Sequence, residues 1–363
     1  MKAWSWLVGV LVAALLGLVW ELPVQAQPAP PALPPNAMAV ASGLVNPRGF
    51  TFAPDGALVV AEAGAVPEGF EAPHGPPTPM FLPATTKTGR VSKIDPSTGQ
   101  RTSLIEGLPS AASSFGDTLG PVNVAYLGTD LYVLISAGPV HGWPNYPSGV
   151  YKANADGTVR LVANLDAFNS KNPTAFIAPD DEISNPYDMV AADGALWITD
   201  GNRAQVYKVT PDGTITRVAD LSTGHPVTTG IAAAPGGGVI TVELTAVPYV
   251  QGSARVMKIG PTGESSVVAR AATAGTGLAV ASDGTIFVVE HAESLGRPPF
   301  LSPGTGRVAK LTADGKLETV AGGLMWPTIA RVGADGSLFV SNFSVDADHG
   351  EGQILKIALA SGM

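Results

Sequence analysis

The chain has 363 residues, a formal net charge of −9 and no cysteine. Without a basic cluster it is no nucleic-acid binder, and without cysteine it has neither disulfides nor thiolate metal sites. It is 45% hydrophobic and only 14% charged, with 43 Gly and 32 Pro, the composition of a turn-rich all-β chain.

The first 26 residues stand apart. Lys2 is followed by an uncharged apolar run, Leu7–Trp20, and by the small-residue end Val24–Ala26. This is the layout of a secretory signal peptide. Cleavage after Ala26 leaves a Pro-rich linker, residues 27–37, and sends residues 38–363 to the periplasm or outside the cell. No stable membrane insertion is expected after cleavage. Left uncleaved, Ala3–Trp20 is just long enough to span a bilayer.

From Asn46 onward one pattern recurs: a short strand, a tight turn, then an apolar strand. The second strand opens at Leu58, Leu131, Leu196, Val239, Ile286 and Leu338, giving six copies. The shorter spacings fit the roughly 40–50 residues of a propeller blade, and the longer ones require insertions. After each copy come two more strands around a turn, as in "GRVSKIDPSTGQRTSLIEGL" and "AQVYKVTPDGTITRVADL". Val91, Lys93 and Asp95 against Ser92 and Ile94 read as a half-buried alternation.

The last copy stops after its third strand, "GQILKI". The missing outer strand lies near the N-terminus, where "AMAVASGL" (Ala37–Leu44) matches "LETVAGGL" (Leu317–Leu324). The expected fold is therefore a six-bladed β-propeller with four antiparallel strands per blade. Its ring is closed by the N-terminal strand completing the last blade, which leaves no inner edge open.

The two faces of such a ring differ. The turns "PDGA" and "PSTG" and their equivalents fall on one face, the bottom. The insertions fall on the other, the top: Gly64–Thr88, Gly138–Ser148, Asp166–Ser184, Thr245–Gly252, His291–Gly304 and Ser344–Glu351. All five histidines (His74, His141, His225, His291, His349) map there, with Phe70, Phe81, Trp143, Tyr146, Tyr187, Tyr249, Phe300 and Trp326. Irregular loops on a rigid scaffold are where binding concentrates, so the top face is expected to take a small molecule or a protein partner.

One position carries chemistry. The second strands end at Glu62, Ile135, Asp200, Glu243, Glu290 and Asn342, and the inner strands add Asn123 and Asp188 near the same level. Two carboxylates ~6 Å apart at an effective dielectric of ~20 repel by roughly 3 kcal/mol. If they converge on the channel mouth, a proton, an Arg such as Arg48, Arg203 or Arg331, or a hard cation such as Ca²⁺ must compensate them. The other reading is that they cap strand ends and tie neighbouring strands together. His291, beside Glu290, is the best acid–base candidate. There is no G-x-S-x-G elbow, phosphate loop, dinucleotide fingerprint or zinc spacing.

The repeats resemble those of NHL-type and gluconolactonase-like six-bladed propellers. More closely, "GLVNPRGFTFAPDGALVVAEAG", "SNPYDMVAADGALWITDGNRAQVYKVTPDG", "VELTAVPYVQGSARVMKIGPTG" and "GLMWPTIARVGADGSLFVSNF" resemble the ScyD/ScyE family of scytonemin gene clusters. That resemblance implies an exported, soluble propeller without a settled reaction. The gluconolactonase resemblance implies a divalent metal at the channel top. Here the corresponding positions hold Arg48, Asp188 and Thr229, with Arg48 where an acid is wanted. The expectation is a binding scaffold, with a metal-assisted, lactonase-like hydrolase as the alternative. A pyrroloquinoline-quinone sugar oxidase shares the architecture, but no motif supports it.

Overall fold

The structure is a computed structural model, and it describes residues 32–66, 81–113, 118–176, 184–245, 248–296, 301–345 and 349–359. Six antiparallel sheets form the six blades. Five have four strands, and the first gains a fifth from the two-residue strand Thr118–Leu119. The second strands begin at the aligned residue or one before it, at Leu58–Glu62, Asp130–Ile135, Ala195–Asp200, Val239–Glu243, Ile286–Glu290 and Leu338–Asn342.

These second strands are almost wholly buried because neighbouring blades cover both their faces. A strand covered on both sides reads as a continuous apolar run, not as an alternation. The third strand of blade 1 departs from the simple alternation for a polar reason. Ser92 is buried because its hydroxyl donates to Glu62 at 2.6 Å.

The sixth blade is composite. Ala37–Leu44 pairs antiparallel with Gly352–Ile357, from Ala37 opposite Ile357 to Leu44 opposite Gly352. Asn36, just before this strand, donates from Nδ2 to Val320 O at 3.0 Å, and Leu33 packs against the cluster around Phe287 and Leu355. The seam between blades 6 and 1 is filled by Leu44, Phe50, Leu58, Ile329, Phe339 and Ile354.

Inner strands are bound to one another round the axis by a repeated threonine. Thr229 Oγ1 donates to Gly275 O (2.7 Å), Thr276 Oγ1 to Pro327 O (3.0 Å) and Thr328 Oγ1 to Arg48 O (2.7 Å). The third of these closes blade 6 onto blade 1. Most inner strands also slip register just after they start: Pro47/Gly49, Pro121/Asn123, Pro186/Asp188, Thr228/Ile231 and Gly275/Gly277. Such a bulge changes the direction of the residue it inserts, here Arg48, Val122, Tyr187 or Thr276. A proline first in the strand costs no ladder bond there.

The top face also carries the α-helix Leu165–Lys171, capped by Asn164, whose side chain accepts the Ala167 N–H. This helix forms the start of the insertion expected over Asp166–Ser184.

Candidate functional site: the upper rim and the axis

The second-strand carboxylates lie at the top rim, but their charges are spent inside the blades. Glu62 accepts from Val45 N (2.8 Å), Ser92 Oγ (2.6 Å), Arg90 (3.0 and 3.1 Å) and Arg101 Nη2 (2.5 Å). Glu243 takes two-oxygen contacts from Arg255, the shortest 2.5 Å. Glu290 accepts from Thr273 N and Arg307 Nε, both at 2.6 Å. Asn342 accepts Met325 N at 2.8 Å and donates to Gln353 Oε1 at 3.1 Å. Asp200 accepts Asn185 N at 3.1 Å and Arg203 N at 3.2 Å.

The acceptors at blades 1, 3, 5 and 6 thus hold the backbone N–H just before their own inner strand, a donor that the ladder leaves over. In blades 1, 4 and 5 an arginine of the third strand completes the pair. Among the described residues no three His, Asp or Glu side chains stand close enough to hold a metal ion. Burial pushes the Glu290 carboxyl above its ordinary range, opposed by the Thr273 N–H and the Arg307 guanidinium.

Asn123 and Asp188 do come together, at the axis. Asn123 Nδ2 donates to Asp188 Oδ1, which also accepts Met189 N at 2.7 Å. Asp188 Oδ2 accepts Ile231 N at 2.9 Å, a bond into blade 4. Arg331, from the inner strand of blade 6, donates to Asp188 Oδ1 at 2.8 Å and to Met189 O at 3.3 Å. Asp188 is completely buried. Above this plug, the Arg48 guanidinium lies 5.8 Å from the Tyr187 ring centroid, in cation–π range.

His291 sits on the rim between blades 5 and 6. Its ring stacks on Trp326 at 4.7 Å and 27°, and Nδ1 lies 3.1 Å from Pro327 O. A carbonyl can only accept, so Nδ1 is the donor in this contact. Trp326 has φ 44°, a left-handed backbone that a bulky residue adopts only when its surroundings enforce it. The other described histidines lie elsewhere. His225 faces Phe176 at 6.3 Å, His141 is buried, and His349 is exposed. His74, Phe70 and Phe300 lie outside the described residues. Trp143 and Tyr146 meet edge to face at 6.0 Å, and Trp143 Nε1 donates to Ser110 O, so this pair seals the seam of blades 1 and 2.

Sequence reading offered Arg48, Arg203 and Arg331 as counter-charges and missed the arginines that hold the rim acids. The guanidinium partners were legible in the repeats as "GRV", "ARV" and "GRV" at Arg90, Arg255 and Arg307. The pairing of Arg331 with Asp188 left no local signal, because it joins opposite blades. A hollow of about 510 Å³ opens on the bottom face at the seam, beside Phe52, Pro54, Pro96 and Phe339. Its charged lining, Lys356 and Asp335, is already paired at 2.6 Å.

No protein-family model matches the chain, and no curated protein does. Solved structures share its fold. A gluconolactonase of Xanthomonas campestris is 16% identical, with a TM-score of 0.56, covering 89% of this chain and 89% of its own. A glucose-dehydrogenase-type oxidoreductase of Thermus thermophilus is 15% identical at a TM-score of 0.58, over 90% of this chain and 100% of its own. The PQQ-bound aldose sugar dehydrogenase of Streptomyces coelicolor is 14% identical at 0.53, over 91% and 100%. At these identities the likeness is one of fold.

Proposed function

We propose that this chain is an exported propeller of the ScyD/ScyE type that binds a small molecule or a protein partner on its upper face. The observation that carries this reading is the state of Asp188. Both its oxygens are taken, one by Arg331 and Asn123 and the other by the Ile231 N–H. A divalent cation there would have to displace a guanidinium, so the donors present do not fit a metal centre. The rim offers binding groups instead: Tyr187 beside Arg48, and His291 against Trp326. The strain held at Trp326 supports a role for that pair beyond packing. Export rests on the signal peptide read in residues 1–26. Among the described residues no helix is long and apolar enough to cross a membrane.

The test is a pair of measurements on the secreted protein. Thermal-shift screening against a defined small-molecule set should give stabilising compounds whose effect is lost in Trp326→Ala or Tyr187→Ala. Hydrolysis of glucono-δ-lactone is then followed with added Ca²⁺ and with chelator. Turnover that needs the cation would overturn the binding reading in favour of the lactonase-like one.

A further inference from the structure

The six-fold repeat supplies an internal comparison for each rim residue. In blades 1, 4 and 5 an acid ending the second strand meets an arginine opposite it on the third: Glu62–Arg90, Glu243–Arg255 and Glu290–Arg307. In blade 6 both partners are neutral, and Asn342 Nδ2 donates to Gln353 Oε1 at 3.1 Å. Blade 3 mixes the two patterns. Asp200 stands opposite Gln205 in register, an acid facing an amide.

The orientation of that amide is fixed. Gln205 Nε2 donates to Arg203 O (2.9 Å), Ala204 O (3.3 Å) and Asp220 Oδ1 (2.9 Å), and all three can only accept. Gln205 Oε1 is therefore turned the other way. It is buried and has no hydrogen-bond partner among the described residues. An orphaned buried acceptor is costly, and a carboxylate opposite cannot satisfy it. A carboxylic acid can.

We infer that Asp200 and Gln205 form a proton-operated latch: on protonation the Asp200 hydroxyl donates to Gln205 Oε1, reproducing the Asn342–Gln353 bond of blade 6, and on ionisation that bond opens. Asp200 is completely buried and accepts the Asn185 and Arg203 N–H groups. Burial pushes its carboxyl up to about 6. The Asn185 and Arg203 N–H groups and the Arg203 charge oppose this, and Asp166 adds to it.

The groups facing the latch come from every neighbouring element. The helix gives Asp166, itself raised by burial, which accepts Ser148 N at 2.8 Å. It also gives Asn169, whose Nδ2 lies 3.4 Å from Asp200 Oδ2. The third strand gives Tyr207, which donates to Asn169 Oδ1 at 2.8 Å. The outer strand gives Arg217 and Asp220, and the loop after Asp200 gives Arg203. The latch bond lies within blade 3, between its second and third strands, and closes in mild acid. None of this depends on what the upper face binds.

The carboxylic-acid C=O stretch, followed by infrared difference spectroscopy on the intact protein, reads the latch directly. The wild type should show a band that is lost as pH rises through about 6, and Asp200→Asn should lack it. Gln205→Arg, which installs the arginine of blades 1, 4 and 5, should weaken proton affinity at least tenfold, moving the transition down by a pH unit or more. Gln205→Met, which removes the acceptor without adding charge, should move it the same way by less. A band that survives in Asp200→Asn, or a transition that neither Gln205 variant moves, overturns the latch.

Discussion

Arg331 reaches across the channel from blade 6 to Asp188 on blade 3, the opposite blade, with Nη2 2.8 Å from Oδ1. The pair fills the axis with a salt bridge between the inner strands of opposite blades. Asp188 is fully buried and the Arg331 side chain only 15% exposed, so neither charge keeps much water.

Removing one partner strands the other. Arg331→Met should destabilise by about 3–5 kcal/mol, because Asp188 is left charged in the interior. Adding Asp188→Asn should recover much of that loss, since the pair then leaves together. Urea denaturation of the two single variants and the double variant measures the coupling. Additive losses would mean that the two side chains do not act as a pair.

Inner strands pack backbone to backbone near the axis. A Cβ at Gly277 would fall 2.1 Å from Thr328 O, an atom fixed by the neighbouring blade. Gly277→Ala should cost ~1–3 kcal/mol through overpacking. Gly284→Ala, in an open turn of the same blade, meets nothing within 4 Å and controls for loss of glycine, though its φ of +88° adds local strain. The prediction fails if melting shows Gly277→Ala to be as stable as the wild type.

Asp200 gives a pH dependence with a definite sign. Its carboxyl is held at about 6 in the fold against an ordinary 3.8. The folded state therefore binds the proton more tightly than the unfolded chain does. The stability this contributes is full below about pH 4 and is lost as pH rises through about 6. The size is of the order of 3 kcal/mol for a group fully buried. Asp200→Asn, the side chain that blade 6 carries at this position, should therefore raise stability at pH 8 and leave it nearly unchanged at pH 4. Paired melts at the two pH values check this, and destabilisation at pH 8 contradicts it.

The seam gives a packing prediction. Leu44 is fully buried on the N-terminal strand against blades 6 and 1. Leu44→Ala should cost about 2–5 kcal/mol. Removing Ala37–Leu44 outright should abolish cooperative unfolding, because the third strand of blade 6 loses its outer partner. A sharp thermal transition in the truncated chain would contradict the closure.

The architecture was legible in the sequence because it repeats. Leu58, Leu131, Leu196, Val239, Ile286 and Leu338 mark six equivalent strands, and the likeness of Ala37–Leu44 to Leu317–Leu324 located the missing one. The rim carboxylates were legible as residues but not as partners. Glu62 and Glu290 read both as strand-end caps and as a converging cage, and only the directions of their side chains decide. Asp188 was visible as an acid at the axis, whereas its cation came from Arg331, on a strand 143 residues away. No local pattern encodes a contact between opposite blades.

The N-terminal strand has one further consequence, for the order of events in folding. Asn36 and Ala358 are hydrogen-bonded although 322 positions separate them. The ring cannot shut until nearly all the polypeptide has emerged, and so distant a pairing is slow to find. Until the last strand is made, blade 6 has no third strand for Ala37–Leu44 to pair with, and the circle of sheets stays unsealed.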